Sequence, residues 1–221
     1  MSQGQGTSTD VADLGPNTDY VLDAGPLLCI GGFKYLRDIV TARCHGKAHW
    51  VEAVRAELLH RSVGTDRRAH AARSYNGRGA AWLTAVVTFT TVDEHDLNPI
   101  KGRLKALGDA KARRKRRPPQ TDPRANLGEA QSILLARRHS HTLLAHDGDA
   151  RTVSKEHGVA SVTLVDLARR LVAEGSSAKQ LASGFLTLQR DGIDTGEHIT
   201  GQLDLAPRRR PPAMQQQPGI P

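Results

Sequence analysis

Four carboxylates, Asp23, Glu57, Glu129 and Asp147, stand where a folded chain can carry them to one rim. Asp23 ends the apolar run Tyr20-Val21-Leu22, and Asp147 follows the run HTLLA at 141–145 by two residues. Glu57 lies within a helical stretch shortly after a second apolar segment, and Glu129 lies in the first turn of another helix. Gathered acids are what a hard cation prefers. Mg²⁺ and Mn²⁺ take carboxylate and water oxygens and keep several waters, so three or four acids hold one or two ions without any His or Cys. The chemistry that wants such a cluster is phosphodiester hydrolysis, in which the cation acidifies a water and neutralises charge on the transferring group. Without it, packed carboxylates repel and some stay protonated. The cluster therefore implies Mg²⁺ or Mn²⁺ as its cofactor.

The elements that must position these acids alternate along the chain. Residues 20–22 read as a strand, Gly25-Pro26 as a turn, and 33–43 as a helix with Phe33, Leu36, Ile39 and Val40 on one side. A brief apolar segment at Trp50-Val51 leads into a helix holding Val54, Glu57, Leu58 and Arg61, and 67–83 reads as further helix broken at Asn76-Gly77. The β-branched run 87–92 predicts a strand and 97–108 a helix, after which the basic segment and Pro118-Pro119 interrupt regular structure. The second half repeats the rhythm. It predicts a helix over 126–138, strand 141–145, helix 149–157 ended by Gly158, strand 161–165, and helices 167–174 and 178–190. Alternation of this kind predicts an α/β fold, a three-layer α/β/α arrangement around a mainly parallel sheet. Ligands of such sheets sit beyond the carboxyl ends of the strands, where Asp23 and Asp147 fall.

A chain of 221 residues buries one substantial core, which aromatics at 4% leave to Leu, Val, Ile and Ala. Residues 1–18 and 207–221 are polar or Pro- and Gln-rich and read as disordered tails, leaving a domain at 19–175 and a helical extension at 176–206. Cys29 and Cys44 fall in no C-x-x-C spacing, which gives neither a disulfide framework nor a zinc site. The first residues lack a basic and apolar leader, and no stretch approaches the roughly 20 apolar residues of a membrane helix. A cytoplasmic protein with no membrane partner is the expectation. The formal charge of +8 points to a polyanion. From Lys101 to Arg117, nine basic residues face one acid, Asp109, so this segment alone matches the whole chain's excess. Arg113, Arg114, Lys115, Arg116 and Arg117 are its densest part and the candidate RNA contacts, although phosphate contacts of this kind carry no sequence specificity.

The segments TDYVLDAGPLL, VEAVRAELLH, NLGEAQSILLARR and HTLLAHDGDAR, in this order, resemble the PIN-domain nucleases, especially the VapC-like toxins of toxin–antitoxin pairs. The resemblance covers roughly residues 19–170. It implies a PIN-like parallel sheet between helices and metal-dependent endoribonuclease activity, with Asp23, Glu57, Glu129 and Asp147 as the catalytic acids. It adds Asp149 as a fifth member, so that Asp23, Glu129, Asp147 and Asp149 hold the metal. It also implies RNA as substrate and an antitoxin protein as partner; whether the chain forms a homodimer stays open. The basic insert at about 98–124 is longer than in the compact toxins and suits either RNA or an acidic antitoxin.

Each acid also has a structural reading. Asp23 could cap the following helix, Glu129 could complete a capping box with Asn126, Asp147 and Asp149 suit an Asx-turn and N-cap, and Glu57 could pair with Arg61. Glu52 reads as a helix-start acid and Asp166 as an N-cap. His139 and His141 straddle a helix-to-strand turn at a spacing unlike a zinc site and read as surface residues. His146 stands beside Asp147 as a neighbour that could hydrogen-bond a phosphate. A catalytically silent PIN-like module binding RNA or protein is the alternative. An aspartyl-nucleophile phosphatase needs a second acid where Gly25 stands.

Overall fold

Tyr20–Leu22 (β1) and Thr142–Leu144 (β3) are buried along their whole length, as strands covered on both faces must be. They pair in parallel, Val21 beside Leu143, at the centre of a four-stranded sheet. Ala48–His49 (β2) flanks β1 and Ser161–Val162 (β4) flanks β3, also in parallel, giving the order β2-β1-β3-β4. In this computed structural model, which describes residues 17–206 apart from 120 and 123, helices cover the sheet in a three-layer α/β/α arrangement. The tails expected at 1–18 and 207–221 therefore lie outside the described residues, save 17 and 18.

Among the described residues there are nine α-helices: α1 (Ala24–Gly32), α2 (Lys34–Cys44), α3 (Glu52–Arg61), α4 (Arg67–Arg73), α5 (Glu94–Arg114), α6 (Leu127–His139), α7 (Gly148–Glu156), α8 (Leu164–Ala173) and α9 (Ala178–Arg190). None is long and apolar enough to cross a membrane. The core is aliphatic, with Leu27, Ile30, Leu36, Ile133, Leu134 and Leu143 fully buried beside Tyr20 and Phe185. Cys29 and Cys44 are buried and unbridged.

Several elements differ from the sequence expectation, each for a local reason. Gly25-Pro26 is not a turn. Both residues lie in the first turn of α1, where a proline loses no helical hydrogen bond. The strand expected at 87–92 reduces to one bridge between Val87 and Val51, because the amide of Thr90 donates to the Asp93 carboxylate and starts a 3₁₀ turn at Thr91–Asp93. The strand expected at 161–165 stops at Val162. There Thr163 and Asp166 form a capping box that opens α8, so Asp166 is the third residue of the cap and not the cap itself. The basic segment is helical through Arg114, since Ala, Lys and Arg are good helix formers and Leu97, Ile100 and Leu104 bury one face of α5 against α6 and α7. The segment 176–206 contributes α9, which packs on α1 and α2.

Helix α1, which carries the site described next, rests on α4 without room for a side chain. A Cβ on Gly31 would lie 2.4 Å from the Ala71 carbonyl oxygen, and the hydroxyl of Tyr75 donates to the Leu27 carbonyl at 2.6 Å. Backbone cannot rotate away as a side chain can. Gly31→Ala is thus expected to cost about 3 kcal/mol, the upper part of the overpacking range, and to lower the melting temperature by about 6–12 °C. A thermal melt followed by circular dichroism checks it; an unchanged midpoint would show that the two helices separate freely.

Candidate active site

The strand order reverses direction between β1 and β3. From β1 the chain crosses to β2 on one side, and from β3 it crosses to β4 on the other, so the crevice beyond the carboxyl ends of β1 and β3 is the switch point of the sheet. Asp23 stands directly after β1 and Asp147 three residues after β3. The amide of Asp23 donates to the Leu144 carbonyl at 3.1 Å, which ties the two strand ends together. Glu57 reaches the same place from α3 and Glu129 from the first turn of α6. The two helices approach closely because Gly128 has no side chain, and a Cβ there would meet Val54 at 3.3 Å. All four acids line one cavity of about 190 Å³.

Their structural roles divide. Asp23 occupies the N-cap position of α1 without a side-chain capping bond. The capping box of Glu129 with Asn126 does not form, since Asn126 adopts a left-handed conformation, φ 62°, and its side chain caps nothing. Asp147 does cap α7, accepting from the Asp149 amide at 2.5 Å, yet its side chain remains 53% exposed. Glu57 pairs with Arg61 at 2.8 Å, as its spacing predicts.

Electrostatics single out Asp23. Burial, followed by the like charge of Glu129 and then of Glu57 and Asp147, raises its carboxyl to about 8, against a partial opposing pull from the Ala24 amide. Burial and the charges of Glu57 and Asp147 raise Glu129 as well. An acid held protonated by burial and by its acidic neighbours is one whose ionised form calls for a cation. The acids line the cavity without closing on a point: among the described residues, the one trio of His, Cys, Asp or Glu with donor atoms all within 4.8 Å of one another is elsewhere. Carboxylate oxygens are the donors that Mg²⁺ and Mn²⁺ prefer, and both ions keep several waters in positions the protein leaves open. The donor set therefore fits a hard divalent ion.

Asp149 stands apart from the cavity. Its carboxylate meets Lys111 Nζ at 2.7 Å, and the same ammonium lies 3.9 Å from Asp147. Lys111 thus joins the rim to the basic end of α5. Beyond it Arg113, Arg114, Lys115, Arg116 and Arg117 are all exposed and, among the described residues, belong to no ion pair. A cleft of about 570 Å³ is lined by Lys101 and Lys105 of α5 together with Pro119, Thr121, Asp122, Ala125 and Asn126.

Other wall residues escaped the sequence reading. Arg61, read from the sequence only as the partner of Glu57, lines the cavity with Arg68, and Ile193 and Asp194 close it from the segment after α9. Arg68 donates to the Gly192 carbonyl. His146 is no bystander: buried at 5% exposure, it donates from Nδ1 to the Asp194 carbonyl at 2.9 Å, and Cys29 donates to the same oxygen at 3.1 Å. Burial pushes His146 down to about 4, so the ring is neutral. Gly196, φ 80°, permits this packing, for a Cβ there would lie 2.9 Å from the ring. The Asp-Gly-x-Asp spacing at 191–194 hints at a turn, but nothing local reveals that the turn folds onto the rim. No protein-family model, curated protein or solved structure matches this chain.

Proposed function

We propose that the chain is a Mg²⁺- or Mn²⁺-dependent endoribonuclease. The observation that supports this most is the convergence of Asp23, Glu57, Glu129 and Asp147 on one cavity at the switch point of the sheet, with Asp23 buried among like charges. Asp23, Glu129 and Asp147 would hold the ion, which supplies an acidified water and charge neutralisation at phosphorus. Glu57, with its side chain 37% exposed, would orient an attacking water, and Arg61 and Arg68, which line the same cavity, would bind phosphate oxygens of the strand. RNA reaches the rim along the exposed cations of 113–117, which Lys111 connects to Asp147 and Asp149. The preference for RNA over DNA, and an antitoxin partner that restrains the enzyme, rest on the resemblance to VapC-like toxins.

The silent alternative draws on two observations: Asp147 caps α7, and Glu57 is engaged by Arg61. Mn²⁺ titration by calorimetry separates the two readings. Asp147→Asn is expected to remove most of the binding heat and to slow Mn²⁺-supported cleavage of single-stranded RNA by about 100-fold or more, the scale of losing one electrostatic group. Cleavage that survives both this substitution and EDTA would overturn the proposal.

A further inference from the structure

We propose that Asp19, His49 and His141 form a second cation site at the amino ends of the central strands, suited to a borderline divalent ion such as Zn²⁺. The register of the sheet creates it. Val21 pairs with His49 and Tyr20 with Thr142, so Asp19 falls beside His141, and the three side chains leave the same face of the sheet. The amide of Thr142 donates to the Asp19 carbonyl at 3.0 Å, which fixes the two strand starts side by side. One donor atom from each side chain lies within 4.8 Å of the others.

The surroundings of His49 orient it as a ligand. Its Nδ1 lies 3.1 Å from Thr84 Oγ1, a contact that holds the ring with its other nitrogen toward Asp19. Nε2 faces the Asp19 carboxylate at 3.1 Å. Without an ion a proton on Nε2 bridges the two atoms, and a divalent ion would take that proton's place. A hydroxyl that fixes the far nitrogen of a histidine is the outer partner found around bound metals. The His141 ring stacks on His49 at 4.5 Å, and His139, on the last turn of α6, stacks on His141 at 5.4 Å. A cleft of about 380 Å³ opens onto Asp19, His139 and His141 and gives an entry path.

Two imidazoles and a carboxylate select Zn²⁺, Co²⁺ or Ni²⁺ over Mg²⁺. Tetrahedral Zn²⁺ at about 2.0–2.1 Å from each ligand draws the donors to about 3.3 Å apart, a shift that ring rotation supplies, with water or His139 in the fourth position. The site shares no ligand with the acidic rim. Asp19 and Asp23 are four residues apart on one strand, or about 13 Å. A bound ion ties the starts of β1 and β3 to β2, so it stabilises the sheet by mass action.

The test uses the full chain, stripped with chelator, in an Asp147→Asn background that disables the rim. One equivalent of Zn²⁺ is expected to bind and raise the melting temperature, and Co²⁺ to give the intense visible bands of a tetrahedral ion. His141→Gln and His49→Gln, whose metal-free melts report whether they fold, are expected to weaken Zn²⁺ binding at least about 100-fold. Absence of Zn²⁺ binding, a weak octahedral Co²⁺ spectrum, or Zn²⁺ affinity unchanged in folded His141→Gln each overturns the site. RNA cleavage is not the readout, so failure here leaves the nuclease reading untouched.

Discussion

Asp23→Asn is expected to abolish RNA cleavage and, at the same time, to raise the melting temperature of the metal-free protein. The activity loss should reach about 10³-fold, because the substitution removes the most enclosed of the four acids and leaves an amide that binds a hard cation poorly. The stability gain has the same origin. A carboxyl packed at 7% exposure against Glu129, Glu57 and Asp147 costs free energy when it ionises, and Asn carries no charge to repel. Each 1 kcal/mol relieved moves the midpoint by about 2–4 °C in a chain of this size. Loss of activity with loss of stability would instead mark Asp23 as a structural cap of α1.

The sign of the pH dependence follows from the same acid. In the unfolded chain Asp23 titrates near the ordinary value of 3.8, whereas burial first and its acidic neighbours second raise it to about 8 in the fold. Between those limits the folded protein keeps a proton that the unfolded chain has released. Stability contributed by this group is therefore complete below pH 3.8 and is lost as pH rises through about 8. Melts in EDTA from pH 5 to pH 9 should fall for the wild type and fall less for Asp23→Asn. Mn²⁺ added at the alkaline end should restore the wild type alone, since the ion replaces the proton that the acids share.

How much of this was legible in the sequence depends on how local the cause is. Tyr20-Val21-Leu22 and Thr142-Leu143-Leu144 announce buried parallel strands by unbroken apolar runs, and the acids that follow them land at the switch point for that reason. The α6 and α7 helices were equally plain. Ambiguity arose where two local signals compete: Gly25-Pro26 suits a turn and a helix start alike, and Thr163-x-x-Asp166 claims the end of an apolar run for a helix. The bland reading of Glu129 failed on one dihedral, the left-handed Asn126, which no pattern encodes. Arg68, Ile193 and Asp194 were illegible because they reach the cavity only through long-range packing, by way of α4 on α1 and His146 on the Asp194 carbonyl. The Asp19, His49 and His141 trio was hidden likewise, its members brought together only by strand register.

Replacing Arg113, Arg114, Lys115, Arg116 and Arg117 together by Gln is expected to weaken RNA binding strongly while leaving the rate at saturating substrate nearly intact. The five side chains are exposed and lie outside the core face of α5, so their loss removes charge without opening a cavity. If each contacts one phosphate of a single strand, the slope of log affinity against log salt should fall in magnitude by about 3.5. Over a rise from 50 to 200 mM salt, that is about two orders of magnitude of salt sensitivity removed. Fluorescence anisotropy with a short single-stranded RNA measures both quantities, and the acid cavity, connected to the segment through Lys111, provides the control. Lys111→Gln should change the salt slope by less than one unit, since its ammonium already faces Asp149 and Asp147. A five-fold variant with an unaltered salt slope would move the RNA path off α5 and leave the segment to a partner of another kind, an acidic protein surface being the natural next test.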